Sequence, residues 1–238
     1  MNRLFARRTL IATAAAACLM GASTAANAVF FATICSDLAC AGGDDFLIQD
    51  NGAGDQLGGL GSISFSTSAF GYTLLVNTSQ SKPMVGSAGA PQLDLTFTAT
   101  TTGAAGNVFL YASDTDFNAG DAFLLALGGT NSGGSGSVTG RAWGGSSNTA
   151  LQFSGSNLLG SIAGLTGPAF AQSITGPFAA TANPFSLTIG AIINRTTAGT
   201  STGDLNLQIS PAPEPGTWSL MLMGVALAGY VARRRQKG

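Results

Sequence analysis

Apolar and polar residues alternate at period two in several short stretches of this chain. Leu93, Leu95 and Phe97 alternate with Asp94, Thr96 and Thr98, and Leu205, Leu207 and Ile209 with Asn206 and Gln208. Ile63-Ser-Phe65 and Leu187-Thr-Ile189 repeat the pattern briefly. Successive side chains of a strand point to opposite faces, so each stretch predicts a strand with one buried face. Tyr72–Val76, Val108–Tyr111 and Ala122–Leu127 are more continuously apolar and predict strands buried on both faces. No uninterrupted helical repeat longer than about ten residues precedes the C-terminal stretch. Leu158–Leu165 fits one short helix, weakened by Gly160 and Gly164. Gly128–Ser147 places eight glycines in twenty residues around Arg141-Ala-Trp143, which predicts either a long hairpin or a mobile loop. No repeat of fixed length is present, so a solenoid is not expected.

Short strands separated by Gly-, Ser- and Asn-rich turns predict an all-β domain, a β-sandwich or jelly roll. The 34 glycines fit such a turn-rich fold, and the 14 phenylalanines are enough to fill a core between two sheets. Charged residues make up only 9% of the chain, far below the share in a helical cytosolic enzyme.

The two ends read differently from the middle. Arg3, Arg7 and Arg8 precede an apolar run over Thr9–Ala22, and Ala26-Asn27-Ala28 supplies the small residues of a cleavage site. Residues 1–28 therefore read as a signal peptide with a helical apolar region, leaving Val29 as the new N-terminus. Arg7-Arg8 also allows twin-arginine export, although the surrounding residues match that pattern only loosely. Cys18 lies in an alanine-rich stretch without the leucine three residues earlier that a lipoprotein signal carries.

At the other end, Pro211–Gly216 leads into the apolar stretch Thr217–Ala232, and Arg233, Arg234, Arg235 and Lys237 close it. Sixteen helical residues span about 24 Å, somewhat short of a bilayer core of about 30 Å. Trp218 and Tyr230 stand near the two ends, where amphipathic rings favour the interface. The basic cluster belongs on the cytoplasmic side. A C-terminal transmembrane helix over about 217–232 follows, and residues 29–210 form one extracellular β-domain.

Charge divides along the same lines. Between Val29 and Gly216 only Lys82, Arg141 and Arg195 oppose eleven carboxylates, a formal charge of −8. An acidic body repels phosphate backbones and disfavours nucleic acid as a partner. Histidine is absent, which excludes Ser-His-Asp and Cys-His hydrolases.

Pro213-Glu214-Pro215, a short apolar helix and an arginine run, in that order, resemble the PEP-CTERM sorting domain. The resemblance covers about the last 28 residues. It implies processing by an exosortase, a membrane transpeptidase-like cysteine enzyme that recognises the Pro-Glu-Pro tripeptide. It further implies export by a Gram-negative bacterium that makes exopolysaccharide, a transient inner-membrane intermediate, and delivery to the surface or matrix. Pro213, Glu214 and Pro215 are then the sorting signal, and Arg233, Arg234, Arg235 and Lys237 the cytoplasmic basic stop. The plainer alternative is a single-span anchor whose Pro-Glu-Pro is an extended linker. Asp50-Asn51-Gly52-Ala53-Gly54-Asp55 also resembles a recurring turn in exported proteins bearing this tail.

Cys35 and Cys40 are the cysteines left after signal cleavage, and in an exported chain they most simply form a disulfide. A zinc site would need carboxylates to complete its ligands. The remaining candidate chemistry is acidic. Asp114, Asp116 and Asn118 follow the one-three-five spacing of calcium loops, with Asp121 close by. Gly120 falls one place late for an EF-hand and Leu125 stands where a bidentate Glu is needed, which leaves a looser calcium site or simple Asx turns. A glycosidase needs paired carboxylates, one with a raised pKa. Asp could serve, but no Trp or Tyr platform for a sugar is evident. The expected function is that of a non-enzymatic surface or matrix protein, structural or adhesive, associated with exopolysaccharide or biofilm. The alternative is a carbohydrate-binding or carbohydrate-cleaving secreted module.

Overall fold

The computed structural model of the chain describes residues 29–42, 46–153, 155–210 and 223. The signal peptide, the Pro-Glu-Pro tripeptide and the basic stop lie outside the described residues, as does the expected transmembrane stretch apart from Met223. Twelve strands follow in order: β1 (Phe31–Cys35), β2 (Phe46–Gln49), β3 (Ser62–Ala69), β4 (Tyr72–Gln80), β5 (Gln92–Thr101), β6 (Gly106–Phe117), β7 (Ala122–Ser132), β8 (Gly136–Gly144), β9 (Leu158–Leu165), β10 (Ala169–Pro177), β11 (Phe185–Arg195) and β12 (Gly199–Ser210). They form two six-stranded antiparallel sheets, ordered β2-β1-β6-β11-β8-β9 and β10-β7-β12-β5-β4-β3. Among the described residues no helix is long and apolar enough to cross a membrane.

The period-two pattern explains how the sheets meet. Leu93, Leu95 and Phe97 of β5 pair across the ladder with Leu207, Leu205 and Gly203 of β12. Leu205 and Leu207 in turn pair with Leu127 and Leu125 of β7. From the other sheet, Val108, Leu110 and Ala112 of β6 and Leu187, Ile189, Ala191 and Ile193 of β11 join the same buried cluster. Full burial of each Leu or Ile contributes about 1.5–3 kcal/mol, and a slip of one residue would turn the whole set outward. Gly140 of β8 fixes how closely the sheets approach. A Cβ there would stand 2.8 Å from Leu205 and 3.4 Å from Leu127 on the facing sheet.

Three local expectations change. Residues 128–147 form neither a hairpin nor a mobile loop. They complete β7, turn tightly through Gly133 and Gly134, both at positive φ, and cross to the opposite sheet as β8. Leu158–Leu165 is the edge strand β9 rather than a helix, with Ile162 in the core. Tyr72–Val76 alternates buried and exposed and is covered on one face only. Val108–Tyr111 is indeed buried on both faces. Phe109 and Tyr111 point away from the core into a second cluster with Trp143 and Cys35, which Leu151 and Phe153 cover.

Candidate functional site

The acidic groups singled out by spacing are distributed by the fold to separate tasks. Asp50 and Asp55 bracket the turn after β2. Asp50 Oδ2 accepts the Gly61 amide at 2.7 Å, while Asp55 Oδ1 accepts the amides of Leu57 and Ser64 at 3.0 and 3.1 Å. Asp55 Oδ2 accepts the Asn51 amide at 3.0 Å, with Asn51 in the left-handed region at φ 55°. The motif is a turn staple that ties β2 to the start of β3. Burial pushes the Asp50 carboxyl above its ordinary value, opposed by the Gly61 amide.

Asp114, Asp116, Asn118 and Asp121 lie at the end of β6 and the start of β7, where the pairing with β11 shifts register. Asp114 is fully buried; its Oδ2 meets the Lys82 ammonium at 2.8 Å and also accepts from Ser81 Oγ. Its Oδ1 accepts the Thr115 amide at 2.7 Å. The same ammonium stands 3.9 Å above the Phe117 ring and donates to the Thr115 carbonyl. Asp116, at φ 62°, exchanges hydrogen bonds with the Asn148 side chain at 2.7 and 2.8 Å. Asn118 donates its amide to the Ala88 carbonyl, and the Asp121 backbone bonds to Ser210 and Phe178. Asp114 and Asp116 thus have different partners, and Asn118 and Asp121 make these bonds through their backbones. Among the described residues no three Asp, Glu, Cys or His side chains are grouped to hold a metal.

Cys35 and Cys40 are joined in a disulfide. The loop it closes presents the Leu38 carbonyl, which accepts the Tyr111 hydroxyl at 2.9 Å. Closing so short a loop contributes roughly 2 kcal/mol in the loop-entropy picture. Its Asp37 carboxylate accepts the amides of Ala39 and Ala41 within the same loop.

One acidic pair has no signature in the sequence. Asp94 of β5 and Asp204 of β12 are 110 positions apart, yet Asp94 pairs with Asn206 and Asp204 with Thr96 in the antiparallel ladder. The two carboxylates thereby share the outer face of their sheet. Burial, followed by the negative charge of Asp204, raises the Asp94 carboxyl to about 6. The Asn206 side-chain amide donates to Asp94 Oδ1 at 3.4 Å. Asp204 is also opposite Gly128 of β7, where a shallow recess of about 370 Å³ is lined by Ala126, Leu127, Gly128, Ala171, Gln172 and Ser173. The arrangement offers carboxylate acceptors beside an open surface recess.

Taken together, the chain consists of an all-β body and a short C-terminal segment of different composition. That segment, residues 211–236, matches the family model of the PEP-CTERM protein-sorting motif, so the chain carries this motif. The motif implies export through a membrane-anchored intermediate and processing by an exosortase. No curated protein sequence matches the chain. Among solved structures, the enzymatically active domain of tailspike protein 4 from bacteriophage CBA120 aligns over 63% of this chain at 9% identity and a TM-score of 0.36. The alignment spans 20% of the tailspike chain. A carbohydrate-binding module described by its specific mannan recognition aligns over 62% of this chain and 88% of its own, at 12% identity and a TM-score of 0.31. The family 11 carbohydrate-binding module of a Clostridium thermocellum cellulosomal cellulase covers 68% and 95% respectively, at 10% identity and a TM-score of 0.27.

Proposed function

We propose that this is a non-enzymatic, structural or adhesive β-domain delivered to the bacterial surface or extracellular matrix, where it associates with exopolysaccharide. The sorting motif over residues 211–236 carries the reading. The body is built for such a place. Its short disulfide loop suits an oxidising compartment, and its Asp side chains at 50, 55, 114 and 116 are engaged in holding turns and strand ends. The domain itself is residues 29–210, released from a signal peptide before it and held for a time by the apolar stretch after it. The test is Glu214→Ala followed by cell fractionation. The variant should stay in the inner membrane with its C-terminal segment intact; normal trimming and surface delivery would refute the reading.

The Asp94–Asp204 pair beside the 370 Å³ recess supports a second reading, a module that binds neutral saccharide through carboxylate acceptors. Under that reading Asp204→Asn weakens retention on a neutral polysaccharide gel at least tenfold. Unchanged mobility in affinity electrophoresis would remove it.

A further inference from the structure

Only three cations stand among the described residues, and two of them have partners. Lys82 pairs with Asp114, and Arg195 is surrounded by carbonyl oxygens. The third, Arg141, has no ion pair, and its Nε is a buried donor without an acceptor. The two Nη atoms are not enclosed in this way. Arg141 projects from the outer face of its sheet, because its neighbours Gly140 and Ala142 face the core. It stands in a cross-strand row, with Gly190 of β11 on one side and Ser161 of β9 on the other. The next residue in that row, Tyr111 of β6, leans over Gly190 together with the Trp143 ring.

The Asp37 carboxylate also acts on Tyr111, but its Oδ1 is engaged by two amides of its own loop. Arg141 is therefore a partly desolvated guanidinium with no ion-pair partner among the described residues. A buried donor left without an acceptor is unfavourable, and the loss of water at Nε strengthens any attraction at the Nη edge. A guanidinium presents a planar fork that fits a carboxylate.

The surroundings narrow the ligand. With a body charge of −8, a polyanion meets repulsion within the screening length of about 8 Å at physiological salt. One cation in such a field suits one isolated negative charge. Beside it, Thr139 Oγ1 and Ser137 Oγ lie 3.4 and 3.6 Å from where a Cβ on Gly164 would stand, and Ser161 faces Arg141 directly. These hydroxyls, beside the small Gly164 and Ala163 of the edge strand, provide hydrogen-bonding groups for a hydroxylated ring. We infer that Arg141, with Ser137, Thr139 and Ser161, is a binding site for a single carboxylate carried on an otherwise neutral saccharide, a sugar-acid unit. The inference rests on the matrix reading above and lies on the sheet opposite to the Asp94–Asp204 recess.

Equilibrium dialysis of the full chain against methyl β-glucuronide, methyl β-glucoside and inorganic sulfate tests it. The glucuronide should bind at least tenfold more tightly than the glucoside, and sulfate should compete poorly. Arg141→Gln should reduce glucuronide binding to the glucoside level, with Arg141→Lys between the two. The lysine variant, which keeps the charge and the aliphatic stem, serves as the reading if the glutamine variant loses its near-UV circular dichroism. Equal binding of glucoside, equal competition by sulfate, no glucuronide binding, or an unchanged affinity in both variants would each overturn the assignment. Should dialysis fail while Glu214→Ala still blocks surface delivery, the matrix reading stands and this inference alone falls.

Discussion

Arg195 lies in a fully buried position with no ion-pair partner among the described residues. Its charge is spread over backbone oxygens instead. Nη2 donates to the carbonyls of Ser132, Gly133 and Ala198, Nη1 to Thr200 and to Ser201 Oγ, and Nε to Thr197. These acceptors belong to the turn between β7 and β8 and the turn between β11 and β12, so one side chain fastens two crossings. Gly199, at φ 146°, leaves the space that the guanidinium fills. Lysine has three donors on a point charge and cannot reproduce the fork. Arg195→Lys should therefore cost about 3 kcal/mol, read as a melting temperature lower by roughly 6–12 °C for a domain of this size. A melt within a degree of the parent would show that the clamp is dispensable.

Asp94 sets the opposite kind of demand. Its carboxyl is raised to about 6, so the folded state binds a proton that the unfolded chain has already lost at pH 5. Stability on this account falls as pH rises from the unfolded value near 4 through about 6, and stays low above. Asp94→Asn removes the titration. With the remaining exposure of the pair screening the effect to about 1 kcal/mol, the variant should melt about 2–4 °C higher at pH 7.5 and no higher at pH 4. Thermal melts across that range check the sign, and a gain at pH 4 as large as that at pH 7.5 would contradict it.

At the scale of elements, the strands with clean alternation were legible, because one ladder partner and one buried face suffice to specify them. Leu93–Phe97 and Leu205–Ile209 are of this kind and became adjacent strands β5 and β12. Gly-rich segments were not, because what decides them lies far away in the chain. Residues 136–144 look like a loop until β11 pairs along their whole length and Gly140 is seen to admit Leu205 from the facing sheet. Leu158–Leu165 has a helix-compatible composition, yet β8 offers it an edge and its Gly160 fits against Phe123 and Ile174. The same distance effect hid the candidate sites. The spacing of Asp114, Asp116 and Asn118 is visible in the sequence, whereas the pairing of Asp114 with Lys82, 32 residues earlier, is not. Asp94 and Asp204 read as ordinary polar positions of two amphipathic strands, and only the register of β5 against β12 brings them onto one patch. The Cys35–Cys40 disulfide was legible because so short a connection depends on nothing remote.

For the whole molecule, the near-zero formal charge of −1 averages over segments of opposite sign. The basic residues gather at the two ends, and the body between them is strongly acidic. Its three cations serve as a buried partner for Asp114, a clamp between turns, and an open guanidinium at Arg141. If export and sorting remove the ends, the extracellular form is this acidic body and nothing else. Intact mass analysis of the secreted material reads that directly. The expected species begins at Val29, stops at or near Pro213–Pro215, and is lighter than the reduced chain by two hydrogen atoms for the disulfide. All twelve described strands fall between Phe31 and Ser210, so the trimmed form should melt at the same temperature as the full chain in detergent. A secreted species that retains residues 217–232, or a lower melting temperature after trimming, would mean that the C-terminal segment belongs to the working protein.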